Sequence, residues 1–363
     1  MALYDPDGGF FAGGGRGAGR RGDFLTSPEV GPLFAAVVAR ALDGWWHALG
    51  RPDPFVVVEA GAGAGTLAAG VVGAAGACRE ALRYVLVERS ETLRARQAAR
   101  LRLESPATVL GPLAADEDDD GGPREAVRGE GPLATALAGL PAGPVTGVVL
   151  ANELLDNLPF RLLERGADGW QEVRVGTAAG GDGFAEVLVP AAAELAAEAD
   201  RLAPGAADGA RVPLQHGARA WLRGALALLA RGRVVVVDYA DTTPSLAARP
   251  WPEWLRTYRS HGPGGHPLDR PGTQDVTCEV AVDQLARVRA PVADRSQAEF
   301  LAASGIDELV AAARAEWWAG AAAATLAALA ARSRVAEAAA LVDPGGLGAF
   351  RVLEWSVGAD AGG

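Results

Sequence analysis

Apolar positions along the chain gather in short, almost unbroken runs. Phe55 to Glu59, Tyr84 to Val87, Val145 to Ala151, Arg233 to Tyr239 and Phe350 to Trp355 have the pattern of strands buried on both faces of a parallel sheet. Between them lie stretches of helical composition. One starts with Ser27 as an N-cap candidate, Pro28 at the first helical position and Glu29 in the first turn, and is predicted to run to Trp46. Further helices are predicted from Thr66 to about Ala77, Glu91 to Leu103, Ala191 to Ala203 and Ala218 to Arg231. The strand-helix-strand-helix alternation after Phe55 implies a doubly wound α/β sheet. Gln171 to Val175 and Phe184 to Val189 flank a glycine-rich turn and predict a hairpin, whereas Pro244 to Gln274 is expected to be too irregular for sheet. The longest apolar stretch, Trp317 to Ala331, is shorter than the roughly 20 residues that span a bilayer and reads as a buried helix.

Composition narrows the function classes. The 363 residues allow two domains or one elaborated domain, and 49% hydrophobic with 22% charged residues describes a folded protein. All 34 basic residues are arginine, and the net charge of −11 disfavours nucleic acid and anionic membranes as partners. Cys78 and Cys278 lie too far apart in sequence, without further ligands, for a disulfide framework or zinc ribbon, so no metal site is expected. The acidic run Asp116 to Asp120 reads as a solvated loop. No basic segment followed by an apolar run occurs between Met1 and Gly9, so no secretory signal is expected and residence is placed in the cytoplasm. Trp251, Trp254, Trp317 and Trp318 mark either core, the expected reading, or an interface, which keeps a homodimer open.

Two segments carry candidate chemistry. After the first strand the chain reads Glu59-Ala60-Gly61-Ala62-Gly63-Ala64-Gly65-Thr66-Leu67, a glycine loop leading into a helix, where the backbone can pass close under a ligand. A dinucleotide fingerprint would need glycine at position 66, where Thr66 stands, and the acid two residues before Gly61 suits S-adenosylmethionine better. Glu88, ending the second strand, is suited to both ribose hydroxyls of either cofactor. The strand ending at Ala151 runs into Asn152-Glu153-Leu154-Leu155-Asp156, which places polar groups at the carboxyl end of a core strand, where ligands bind in open α/β sheets. Asp238-Tyr239 ends another core strand. His261 and His266 lie in the proline- and glycine-rich insertion as candidate bases.

The segments Gly22-Asp23-Phe24-Leu25-Thr26-Ser27-Pro28-Glu29, Val56 to Leu67, Leu82 to Gln97 and Ala151 to Phe160 together resemble the MidA-like family of class I methyltransferases. That family includes the mitochondrial assembly factor that methylates arginine in a subunit of respiratory complex I. The resemblance spans nearly the whole chain. It implies a seven-stranded, mostly parallel Rossmann-like sheet with an added smaller α+β cap domain. The implied division is residues 1–50 as a cofactor-closing segment and helix, 51–165 as the core completed by 232–240 and 295–357, and 166–231 with 241–294 as the cap. It further implies S-adenosyl-L-methionine as cofactor, held by Glu59, Gly61, Gly63, Gly65, Thr66, Leu67, Glu88 and Asn152, with Gly22, Asp23, Thr26 and Ser27 closing over it. The loop departs from relatives in having alanine between its glycines, where they often have proline or arginine.

The implied acceptor is an arginine of a protein partner. A guanidinium arrives protonated and needs carboxylates to orient it and take a proton, a role that falls to Glu153 and Asp156, with Asn152 beside them and His261 or His266 as a further base. The rival readings are a non-catalytic assembly or chaperone factor that keeps the cofactor fold, and an NAD-linked dehydrogenase, which only the glycine loop and Glu88 favour.

Overall fold

A computed structural model describes residues 2–5, 7–11, 26–111, 128–181, 183–259, 262–323 and 325–358. The chain divides into two compact units, one of Leu25–Asn152, Ala225–Val237 and Pro291–Gly363, the other of Met1–Phe24, Glu153–Gly224 and Asp238–Ala290.

The first unit is built on a seven-stranded sheet. Its centre is β1 (Phe55–Ala60), which pairs in parallel with β2 (Leu82–Val87) on one side and with β4 (Val145–Asn152) on the other. β3 (Leu133–Leu137) extends it beyond β2, also in parallel. The strand Leu229–Asp238 lies parallel beside β4, followed outward by Arg351–Val357 and by Ala293–Ser296, these last two antiparallel to each other. Every residue of β1 and β2 is buried, which is why their sequences are continuous apolar runs rather than alternating ones. The core gathers the sheet residues Val57, Leu86, Val148 and Val235 with an apolar stripe of the helix Pro32–Ala48, including Leu33, Phe34, Val37 and Leu42.

The second unit holds a four-stranded antiparallel sheet in the order Phe184–Pro190, Gly169–Thr177, Arg161–Gly166, Arg211–Leu214. The predicted hairpin is its outer pair. The helix Ala193–Leu202 contributes Ala199 and Leu202 to a core with Leu163, Trp170, Val212 and Leu214. A second, three-stranded antiparallel sheet joins Gly262–Pro263, Leu255–Arg259 and Asp275–Cys278, and Trp254, Leu255, Leu246 and Cys278 pack as its core.

Several predicted elements are corrected. The helix expected from Ser27 to Trp46 is two, α1 (Ser27–Val30) and α2 (Pro32–Ala48). Pro32 disfavours the helical region for the residue before it, so Gly31 is extended and the chain breaks there. The buried carboxylate of Glu337 accepts from Leu33 N at 3.0 Å and caps the new helix start. The next two helices are α3 (Thr66–Ala74) and α4 (Glu91–Gln97), the latter ending six residues before Leu103. Residues Leu229 to Arg231, given to a helix by composition, pair with Val145 and Thr146, so that helix is His216–Ala227. Inside Pro244 to Gln274, Leu255 and Thr257 are buried in alternation along a true strand. Trp317 to Ala331 is not one buried helix. It joins the helices Ile306–Gly320 and Leu326–Leu341, and Trp318 and Leu326 are 77% and 85% exposed. Of the four tryptophans read as core, Trp254 is fully buried, Trp251 and Trp317 are half-buried, and Trp318 lies outside. The proposed core boundary at residue 165 falls inside the strand Arg161–Gly166, which belongs to the four-stranded sheet. Among the described residues no helix is long and apolar enough to cross a membrane.

Candidate cofactor loop and acceptor cluster

In the first unit, the glycine loop is the turn between β1 and α3. Gly61, Gly63 and Gly65 all have positive φ, at 74°, 52° and 81°, a region costly for other residues. The N–H groups of Gly61 and Ala62 both donate to the carbonyl of Val87, at 2.9 and 3.0 Å, which holds the loop against the end of β2. Glu88 follows directly. Its carboxylate accepts from Gly63 N at 3.0 Å and from Ser90 N at 2.8 Å, and Gln97 donates to the Gly63 carbonyl at 2.8 Å. The two segments singled out by sequence are thus one constellation. Among the described residues, a Cβ placed on Gly63 would meet no atom within 4 Å, so they leave the space over that residue open to a ligand. Two bonds to Glu88 leave its oxygens further lone pairs for the hydroxyls of a ribose. These residues fit an adenosyl cofactor.

Glu59, on β1, is buried and accepts from Tyr84 Oη at 2.7 Å. Burial raises its proton affinity from an ordinary 4.5 to about 8, although the tyrosine hydroxyl works against this; the nearby Glu88 charge adds to the rise. The sign follows. An unfolded Glu59 ionises near 4.5 while the folded one keeps its proton to about 8, so stability falls as pH rises through that interval. Glu59→Gln is therefore expected to melt higher than the parent at pH 8, with the difference closing by pH 4.5. Parallel thermal melts at those two pH values check it; an equal gap at both would mean Glu59 is ionised throughout.

Other candidates commit their side chains elsewhere in the unit. Thr66 Oγ1 donates to Glu29 at 3.0 Å, Ser27 is buried and donates to Gln297 at 2.9 Å, and Leu67 is a core residue. Thr26, not Ser27, stands at the N-cap of α1. Asn152 is half-buried at the last position of β4, paired in register with Val237. Gly22, Asp23 and the acidic run Asp116 to Asp120 lie outside the described residues, as does His261.

In the second unit, the chain leaves β4 through Glu153, a non-glycine residue at φ 50°, and enters the short turn Leu155–Asn157. Asp156 is only 3% exposed. Tyr239 Oη donates to its Oδ2. Oδ1 has no partner at hydrogen-bond geometry among the described residues. Asp238, equally buried, accepts with Oδ2 from the N–H groups of Leu155 and Asp156 at 3.0 and 3.3 Å, and with Oδ1 from Tyr239 N at 3.0 Å. Burial pushes the Asp156 carboxyl up to about 6, against the bond from Tyr239 and the favourable nearness of the Asn157 and Asp156 backbone N–H dipoles. Asp238 is driven well above the usual carboxylate range by burial and then by the charges of Asp156 and Glu153.

Sequence reading noted Asp238 and Tyr239 as a strand end but gave them no role. The signal was the polar pair directly after the apolar run Val234 to Val237. His266 is engaged otherwise. Its Nδ1 accepts from Leu268 N at 3.2 Å, its Nε2 lies 3.5 Å from Glu186, and its ring stands edge-on to Trp251.

Residues 37–298 match a family model described as "Putative S-adenosyl-L-methionine-dependent methyltransferase". The chain is 33% identical over 168 residues to the "Protein arginine methyltransferase NDUFAF7 homolog, mitochondrial" of Drosophila melanogaster, covering 44% of this chain and 36% of that protein. It is 31% identical over 167 residues to "Protein arginine methyltransferase NDUFAF7, mitochondrial" of Homo sapiens, covering 43% and 36%. The match thus spans about a third of the length of these curated relatives. A crystal structure of a Burkholderia thailandensis protein bound to S-adenosyl-homocysteine superposes with a TM-score of 0.78 at 30% identity, covering 99% of this chain and 86% of that one.

Proposed function

We propose, from the premise that this chain belongs to the family of S-adenosyl-L-methionine-dependent methyltransferases, that it methylates a guanidinium nitrogen of an arginine in a protein partner. The observation that carries the choice of acceptor is the buried acidic cluster of Asp156 and Asp238, with Glu153 beside it, and the names of the curated relatives point the same way. S-adenosyl-L-methionine is the cofactor, and when bound it supplies an electrophilic methyl on a sulfonium centre. Gly61, Gly63, Gly65 and Glu88 would hold it through backbone approach and the Glu88 carboxylate, with Glu59 beneath the loop and Asn152 beside it, while Thr66 and Ser27 brace the neighbouring segments through Glu29 and Gln297.

Arginine keeps its proton to above about pH 12, so it reaches the enzyme as a cation that a carboxylate must steer. Glu153 and Asp156 orient the planar guanidinium so that one nitrogen points along the line of transfer, and holding reactants in that geometry is the larger part of the catalysis. A carboxyl with a proton affinity near 6 is ionised at neutral pH and ready to take the proton the nitrogen releases.

The test is transfer of labelled methyl from S-adenosylmethionine to arginine-containing peptides and to a lysate of cells lacking the protein, followed by acid hydrolysis and amino-acid analysis. Methylarginine is the expected product. Label recovered only in another residue, or none in any protein while the cofactor binds, would sink the reading.

A further inference from the structure

We propose that Oδ1 of Asp156 is the seat for one N–H of the substrate guanidinium, and that Tyr239 and Asp238 are positioning residues that hold it ready. This rests on the arginine reading above. The two oxygens of Asp156 are not equivalent: the Tyr239 phenol occupies Oδ2, while Oδ1 is buried without a partner at hydrogen-bond geometry. A buried acceptor left in that state bears its desolvation cost unrepaid, and a ligand N–H would offset it.

The backbone beneath this oxygen is held from two sides. Asp238 takes the N–H groups of Leu155, Asp156 and Tyr239, so one carboxylate joins the turn that carries Asp156 to the residue that carries the phenol. From the other side, Asn157 Nδ2 donates to Asp275 Oδ1 at 3.3 Å and to the Val276 carbonyl at 3.2 Å. The free oxygen is therefore presented in a fixed direction. Among the described residues, the charges that act on Asp238 are those of Asp156 and Glu153, both acidic, and Asp156 acts likewise on the Tyr239 phenol and the buried Cys278 thiol. Such a place favours a cationic donor over a neutral one.

In the transfer step, the guanidinium nitrogen forms its bond to the methyl carbon as the carbon–sulfur bond of the donor breaks with its electron pair going to sulfur. The N–H proton passes to Asp156 Oδ1, leaving a neutral carboxyl beside a methylated guanidinium. Charge and atoms balance without a further reactant.

Binding of Nα-acetyl-arginine amide, followed by calorimetry from pH 5 to pH 8 with Nα-acetyl-lysine amide in parallel, tests the seat without relying on turnover. The parent is expected to prefer the arginine probe. Protonation of Asp156 near 6 should weaken binding about tenfold between pH 7 and pH 5. Tyr239→Phe removes a bond that favours the ionised form, and should move that midpoint up by about one pH unit. Asp156→Asn should bind weakly and independently of pH.

No binding by the parent, equal binding by Asp156→Asn, or a midpoint unmoved in Tyr239→Phe would overturn the seat. The two readings fail separately. Binding that follows these expectations without methylarginine formation upholds the seat and removes the methylation reading. Methylarginine formed equally by the parent, Asp156→Asn and Tyr239→Phe removes the seat and leaves that reading standing.

Discussion

Glu153→Gln is expected to bind S-adenosylmethionine as tightly as the parent and to transfer methyl at least a hundredfold more slowly, the lower end of what a positioned acid or base contributes. The amide keeps the shape and hydrogen-bonding reach of the side chain while its charge is lost. That charge is felt inside the acidic cluster, where it helps to drive Asp238 to high proton affinity. The backbone offers a second, independent mark of function. At φ 50° a glutamate is held in the left-handed region, at a cost on the order of 1–2 kcal/mol that glycine would escape. Glycine loses part of that gain through its freer unfolded chain. Glu153→Gly should thus fold with unchanged or slightly raised stability and still lose transfer, whereas a residue kept for structure would lose stability when truncated. Denaturation midpoints and single-turnover rates on the two variants separate these cases. Unchanged turnover in Glu153→Gln would remove Glu153 from the mechanism.

The residues around Glu153 show where sequence reading succeeds and where it stops. β1, β2, β4 and the part of the next strand from Arg233 were legible because burial on both faces leaves an apolar run that no surface helix or loop imitates. The glycine loop and Glu88 were legible for the same reason, standing at the ends of those runs. Asp238 and Tyr239 were not joined to Asp156, because 82 positions separate Asp156 from Asp238 and only parallel pairing of β4 with the strand Leu229–Asp238 closes that distance. The four-stranded sheet was half-read. Its strands Arg161–Gly166 and Arg211–Leu214 carry charges that break up the apolar pattern, and the structure shows why they are tolerated: Arg211 is paired to Glu164 at 2.7 Å and to Glu186, with its guanidinium over the Trp251 ring. The break at Gly31 was missed for a related reason, since the carboxylate that caps α2 comes from Glu337, 304 positions along the chain from the Leu33 N–H it accepts.

Gly63→Ala and Gly65→Ala make a matched pair whose stability and affinity effects should diverge. Both residues have positive φ, so either alanine is expected to lose on the order of 1–2 kcal/mol from backbone strain alone. At Gly65 the new methyl would also stand 3.1 Å from Leu86 Cδ2 and 3.5 Å from Gln97 Cγ, forcing packed side chains to give way. At Gly63 it would meet none of the described residues, over a peptide whose N–H already fixes Glu88. Gly65→Ala should therefore be the less stable protein and Gly63→Ala the poorer binder, with S-adenosylmethionine affinity down tenfold or more and S-adenosylhomocysteine affinity down in step. Gly63→Val, adding β-branching to the same strained φ, should abolish binding of both. Calorimetric titration beside thermal melting reads the two effects separately. Full affinity in Gly63→Ala would place the cofactor away from this loop, whereas loss of affinity without excess loss of stability identifies the space over Gly63 as the one the cofactor fills.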